Sequence, residues 1–517
     1  MKNDVKYFAL LCVFVSLWFN SFSQQKSFVL KADNFKHYVD YFNKMETPNI
    51  EQAIPNDSAW TWMKKNIPLF ECPQQNFEEI FYFRWWTLRK HIKKTEKGFV
   101  FTEFLVQRSY ADKYNLISSG LGHHIYESRW LHDKKYMDDN LHVWYRGNNG
   151  KSLNKLRFYS SWNMDAIYNR YLVNRDHEFI RDIFPDLEAD YASWEHEKKL
   201  SNGLFWQYDV RDAMEETISG GRREKNPRPS INSYMYGNAT AMAVMAVVAD
   251  SNYHSPISIK YWKKLDSIKK ITQEQLWNTK HDFFEVRKEQ GDTLANVREE
   301  IGFIPWYFNM PDSNYNVAWK WVTDKKTFNA PFGITTADRS HPQFRTHGCC
   351  NCEWDGAVWP FATSQTLTGM ANLLNNYKQN YVADTNYFEL LETYVESQYY
   401  RGRPYIGEYL DETTGYWLKG DQERSRYYNH STFNDLIITG LVGLRPRADD
   451  IIDVNPLLPD NKWDWFCLDN ILYHGKIVTI IWDKTGAKYK RGKGLQVFVN
   501  GKKVAASNTL EKVTGKL

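Results

Sequence analysis

Four carboxylates fall within the eight residues Asp209-Val210-Arg211-Asp212-Ala213-Met214-Glu215-Glu216. They follow Trp206 and Tyr208 and precede the turn Gly220-Gly221. A second acidic stretch, Glu408 to Glu412, lies much later, between Gly407 and Gly415. Glycines, prolines and Asp-Thr turns stop helices, so both stretches should be loops. Cleavage of a glycosidic bond needs two carboxyl groups flanking it. One is protonated for the leaving oxygen; the other is ionised and activates water or attacks directly. Two acidic loops meet that need in kind. Trp206, Tyr208, Trp354, Trp359 and Tyr409 are candidate walls for sugar rings, since Trp and Tyr offer an apolar face and a polar edge. Asp209, Asp355, Arg129 and Trp130 are further candidates on the same ground. The plain alternatives are solvated acidic turns and aromatic core packing.

A third cluster is His347-Gly348-Cys349-Cys350-Asn351-Cys352-Glu353-Trp354-Asp355. Thiolates and an imidazole are zinc ligands, but this spacing matches no familiar zinc pattern. The better account is a disulfide to Cys72 or Cys467, and no metal or other cofactor is expected. With Cys12 lost in an export signal, five cysteines would remain, so at least one thiol is unpaired or pairs between molecules.

Helices must position these loops. Phe77, Ile80, Phe81, Trp85 and Leu88 recur at three- and four-residue steps and predict a helix over 77–92. Similar patterns span 117–130, 165–172, 231–249, 257–276, 359–374, 386–398 and 433–441. After Arg445-Pro446 short β-type runs follow at 451–458, 465–468, 477–482 and 495–499, with Asn500-Gly501 as a hairpin signal. The fold expected is therefore mainly α, a helical toroid with a small C-terminal β domain. Residues 1–23, with Lys2 and Lys6 ahead of an apolar run and Ser21-Phe22-Ser23 at its end, read as a signal peptide. The product is expected in the periplasm or secreted, with no membrane insertion. Segment 24–97 is expected to pack on the catalytic unit of 98–446, followed by the β domain of 447–517. A net charge of +4 on 517 residues gives no nucleic-acid footprint, whereas 16% aromatic residues suit a carbohydrate partner.

Five stretches, in order, resemble glycoside hydrolase family 63 and the related mannosylglycerate-hydrolase-like enzymes. Asp212-Ala213-Met214-Glu215-Glu216-Thr217 is similar to the family's Ser-Gly-Met-Asp-Asn-Ser, and Ile231 to Tyr236 to the helix that follows it. Ala330-Pro331-Phe332-Gly333-Ile334 resembles Ser-Pro-Tyr-Gly-Leu. Glu353-Trp354-Asp355-Gly356-Ala357-Val358-Trp359-Pro360 resembles Tyr-Trp-Arg-Gly-Pro-Val-Trp-Pro. Gly407-Glu408-Tyr409 through Gly415 resembles the Gly-Glu-Asn-Tyr loop.

The resemblance implies an (α/α)6 barrel and an inverting glycosidase, with Glu215 as general acid and Glu408 as general base. Glu stands where the family has Asp, which leaves Asp212 as a rival acid. Asp355 replaces an Arg, which changes the charge expected near the sugar. Two other readings compete: a helical-toroid polysaccharide lyase using Tyr208, His347, His430 and the arginines near Arg401, and a non-catalytic glycan-binding protein.

Overall fold

The computed structural model describes residues 29–46, 50–252, 254–348 and 352–517. The expected export signal, Cys349 and Cys350 lie outside them. Helices dominate up to residue 441, and strands dominate after 450. The periodic segment near residue 80 forms the helix Gln75–His91, in which Phe77, Ile80, Phe81 and Trp85 have no exposed surface. Three long helices begin with proline, at Pro229–Asp250, Pro256–Leu276 and Pro360–Asn376. Proline has no N–H to lose at a first turn and its φ is already helical, so each proline fixes where its helix starts.

Two helices had no expectation behind them, Lys135–Arg146 and His177–Lys198. The second runs through Pro185, where a helix loses a hydrogen bond. Burial of Ile180, Ile183, Phe184 and Leu187 on its inner face offsets that loss, and the Asp176 carboxylate caps it by accepting from the Phe179 N–H at 3.1 Å.

The segment at 433–441 is an α-turn, Asn434–Leu436, continued by a π-turn, Ile437–Leu441. Glu127 caps it from another helix, accepting from the N–H groups of Phe433, Asn434 and Asp435 at 3.2, 2.9 and 3.1 Å. Arg129 and Trp130 bind Asp435 at 2.8 and 2.7 Å inside the core. They hold this turn in place and are not sugar-facing groups.

Most C-terminal strands form a five-stranded antiparallel sheet whose order is Leu69–Glu71, Trp465–Tyr473, Lys476–Asp483, Gly494–Val499, Lys502–Ser507, while Ile451–Val454 pairs separately with Val513–Lys516. Its first strand comes from the N-terminal segment, pairing Phe70 with Leu468. Asp469 reinforces this junction, accepting from the N–H groups of Val29 and Leu30 at 2.6 and 2.8 Å. Trp463 stacks edge-on against Phe77 and Phe388, at 5.1 and 5.6 Å, so sheet and helices share one core. Asn500 and Gly501 both have positive φ, as a tight hairpin turn requires. Cys72 and Cys467 are free thiols in this core, so neither bridges to the cysteine cluster. Cys467 is held opposite Glu71 by the strand pairing, and the Cys72 thiol is turned toward the Gln74 carbonyl at 3.3 Å. Among the described residues no helix is long and apolar enough to cross a membrane.

Candidate active site

The acid-bearing loop leaves a short strand pairing, Trp206-Gln207 with Asn226-Pro227, and turns through Asp209–Arg211. Asp212 is fully buried: Arg228 Nε donates to it at 2.8 Å, and the Ser230 hydroxyl donates to the same oxygen. It thereby ties the loop to the start of the Pro229–Asp250 helix. Asp209 lies beneath the loop, its carboxyl raised in proton affinity by burial despite the Arg228 charge. Ala213 and Glu216, on either side of Met214-Glu215, have φ of 59° and 70°. Left-handed backbone at non-glycine residues costs about 1–3 kcal/mol each and collects at functional sites. Met214 is buried and anchors the turn.

Glu215 is left partly open on this strained turn. Removal from water, helped by the charges of Glu408 and Asp209, pushes its carboxyl up to about 7, with Arg222 opposing. The main-chain carbonyl of Glu215 accepts from the Trp354 N–H at 3.3 Å, which joins the acid loop to the third cluster.

Glu408 sits in a loop, as expected, at a bend two residues before an isolated bridge at Leu410. Leu410 exchanges 3.0 Å main-chain bonds with Val358 and also bridges to Trp417. Gly407 is needed here, because a Cβ would lie 2.6 Å from Trp417 and 2.8 Å from Tyr405. Glu408 is buried, and Arg424 grips both its oxygens through Nη2 at 2.6 and 2.5 Å. Lys419 approaches to 3.5 Å. Cys352 stands among these groups: its sulfur accepts from Lys419 at 3.6 Å, and burial, then the charge of Glu215, push its thiol up to about 12. Cys352 and Glu353 also have positive φ, 77° and 45°. The two acidic loops therefore converge, with Glu215, Glu408, Cys352 and Lys419 in one electrostatic neighbourhood.

Of the aromatic candidates, Trp354, Trp359 and Tyr409 form a continuous stack, with centroids 4.6 and 4.8 Å apart. All three are buried, so they form the packed floor of this region. Trp206 and Tyr208 are half-buried, 5.1 Å apart, with Lys198 Nζ 3.9 Å above the Trp206 ring. They belong to the flank of the acid loop. Asp355 borders a different recess of about 380 Å³, whose wall includes Arg345, Glu353, Asp411 and Glu412. It accepts from the His347 N–H at 3.0 Å. Among the described residues no three His, Cys, Asp or Glu side chains come together as metal ligands.

One carboxylate here had no expectation behind it. Glu103 follows the β-hairpin Ile92–Thr95/Gly98–Phe101 and is buried. The Tyr428 hydroxyl donates to Oε1, and Ser119 Oγ donates to Oε2 at 2.7 Å. Burial, with the charge of Glu408, raises it to about 7. A glutamate inside the aromatic run Phe99 to Phe104 is the only trace it leaves in the sequence.

Comparison with known proteins places these features in a family. Residues 113–431 match the family described as mannosylglycerate hydrolase MGH1-like glycoside hydrolase domain, and residues 444–506 match the glycosyl hydrolase family 65 C-terminal domain. A solved chain named sialidase is 59% identical with a TM-score of 0.93, over 95% of this chain and 45% of that one. The present chain thus spans less than half the length of that relative. The family 63 mannosylglycerate hydrolase of Thermus thermophilus, solved with glucose, has a TM-score of 0.54 at 12% identity, over 69% of this chain and 99% of that one. The family 78 rhamnosidase of a Bacillus species has a TM-score of 0.55 at 9% identity, over 84% and 41%. The last two likenesses concern the fold. The match over 113–431 takes in both acidic loops and most of the helices, and by it the chain belongs to the MGH1-like family of glycoside hydrolase domains.

Proposed function

We propose that this chain hydrolyses a glycosidic bond in an oligo- or polysaccharide, with inversion, on an (α/α)6 toroid spanning 98–446. Glu215 is the general acid and Glu408 the general base. The observation that carries this reading is the contrast between the two carboxyls. Glu215 is kept protonated near neutrality by burial, while Glu408 is ion-paired to Arg424 and Lys419. A carboxyl that burial keeps protonated, beside one gripped by two cations, suits an acid and a base. Glu215 gives its proton to the departing oxygen as the bond breaks. Glu408 takes a proton from a water whose oxygen bonds to the anomeric carbon from the opposite face of the sugar, and Arg424 and Lys419 hold its carboxylate in place. Asp212 is the weaker candidate for the acid, because both Arg228 and Ser230 already occupy it. The lyase reading is disfavoured by His430. Its ring is walled by Trp359, Phe361 and Tyr428, and burial holds its pKa well below the ordinary value. Export through the N-terminal segment, packing of the helical segment 24–97 on the toroid, and a β domain over 447–517 to which Leu69–Glu71 adds an edge strand complete the proposal.

The test uses a panel of aryl glycosides, sialosides included, and plant and microbial polysaccharides. Glu408→Gln should abolish turnover of every active substrate. Glu215→Gln should cost at least about 10²-fold on a glycan, but much less on a 4-nitrophenyl glycoside, whose leaving group needs no proton. Proton NMR of the first sugar released should show the inverted anomer; retention would overturn the water-activating role of Glu408. Equal losses on both substrate types would remove Glu215 from the acid role.

A further inference from the structure

Glu103 takes no part in the scheme above, yet it is a buried carboxyl beside the base. Its three hydrogen-bonding partners all donate: the Tyr428 hydroxyl, Ser119 Oγ at 2.7 Å and the Gly120 N–H. Gly120 permits this close approach, since a Cβ there would lie 3.2 Å from Glu103 Oε2 and 3.0 Å from His124 Nε2. Tyr428 connects Glu103 to the loop that carries the base. Its N–H donates to the Ile406 carbonyl at 3.1 Å, two residues before Glu408. Its ring meets Phe104 at 4.4 Å and His430 at 3.9 Å. Arg424, which grips Glu408, lies over the same Phe104 ring at 5.7 Å. Glu103, Phe104 and Tyr428 therefore form one wall behind the ion pair.

We propose that Glu103 is a positioning residue for the base: through the Tyr428 wall and through its own charge it sets how readily Glu408 takes a proton. This rests on the reading of Glu408 as general base. Three donors favour the ionised carboxylate, whereas burial and the Glu408 charge oppose it, and the balance falls near neutrality. The titratable groups facing Glu103 are Tyr428, Tyr110, Tyr159, His124 and Glu408. Those facing Glu408 are Arg424, Lys419, Glu215, Cys352, Tyr409 and His430. Arg424 and Lys419 both bind the Glu408 carboxylate, and a negative Glu103 close by opposes their field. Turnover should thus rise as Glu103 loses its proton, then fall as Glu215 loses its own.

Two variants with opposite expected shifts test this on the best substrate from the panel. In Glu103→Gln the charge is gone at every pH. The rise in kcat that Glu103 contributes near neutrality should vanish, leaving only the rise given by ionisation of the base itself, and kcat at pH 7 should drop roughly tenfold. In Tyr428→Phe the carboxyl stays but loses a donor, so it holds its proton longer and the rise should move to higher pH. Loss of packing alone would lower kcat in both without moving either profile. A rise that persists unmoved in Glu103→Gln overturns the proposal. Should that variant not fold, Tyr428→Phe decides: an upward shift supports the role, an unmoved profile overturns it. Activity surviving Glu408→Gln would defeat the base assignment itself. A dead Glu408→Gln beside an unaltered Glu103→Gln profile would defeat only the role of Glu103.

Discussion

Replacing Glu215 by Gln should make the protein more stable, but only at high pH. The native carboxyl holds its proton to about 7, against 4.5 for an unhindered glutamic acid. In the unfolded chain it ionises near the ordinary value; in the folded protein it waits until about 7. Between those values the folded state carries the extra proton, so stability falls as pH rises. Above about 7 the whole cost of the ionised, desolvated side chain is present. At about 1.4 kcal/mol per pH unit the interval amounts to roughly 3 kcal/mol. Because Glu215 is partly open to solvent, screening trims this to about 2 kcal/mol. Glutamine never ionises and escapes the cost. Urea denaturation of native protein and Glu215→Gln at pH 5 and pH 8.5 measures the effect. The variant's relative stability should climb by about 2 kcal/mol between the two. Subtracting one protein from the other cancels the other raised acids, such as Glu78 and Asp165, both near 7. A difference that is flat with pH refutes the burial argument. A difference of opposite sign means Arg222 dominates and holds Glu215 ionised.

Three further outcomes follow from the geometry. Arg424→Met leaves Glu408 with Lys419 alone, and should cost roughly 2–4 kcal/mol in thermal denaturation and about 10²-fold in kcat. Iodoacetamide should label Cys352 slowly at neutral pH, since its thiol is pushed up to about 12. The adduct, beside Lys419, should block turnover, and full activity of protein shown by peptide mass spectrometry to be labelled there would refute this. Glu127→Ala strips the acceptor from three N–H groups at 433–435, and should lower stability by about 3 kcal/mol in urea unfolding, whereas Glu127→Gln should recover part of it.

Elements with local causes were legible in the chain. The proline-headed helices and the Asn500-Gly501 hairpin depend on φ preferences of single residues, which sequence carries directly. Elements made by distant partners were not. The Pro185 helix survives because its inner face is buried, and proline alone argues against it. Leu69–Glu71 is only three residues long, and its partner strand begins at Trp465. The cysteine pairing went wrong for a related reason: compartment and count say that bridges are permitted, not which thiols meet. In the site, the convergence of the loops at Glu215 and Glu408 could be anticipated in type from the need for two acids. Glu103 could not, because its place in the aromatic run Phe99 to Phe104 hints at burial but not at a partner; its surroundings come from Ser119 and Tyr428. Nor does composition separate a sugar-facing Trp from one in a stack such as Trp354–Trp359–Tyr409.

The pairing of residues 69–71 with 467–469 also bears on how the molecule is assembled and how it comes apart. During synthesis the early strand must wait, unpaired, until residues 467–469 have emerged, so the sheet is completed after the helices that lie between them in sequence. Closing so long a loop is only modestly more costly than closing a short one, since each doubling adds about 0.6 kcal/mol. Once closed, it acts as a clasp between residues 69–71 and 467–469. A protease cutting any exposed loop between the two should leave fragments that stay together in native buffer and separate only in denaturant.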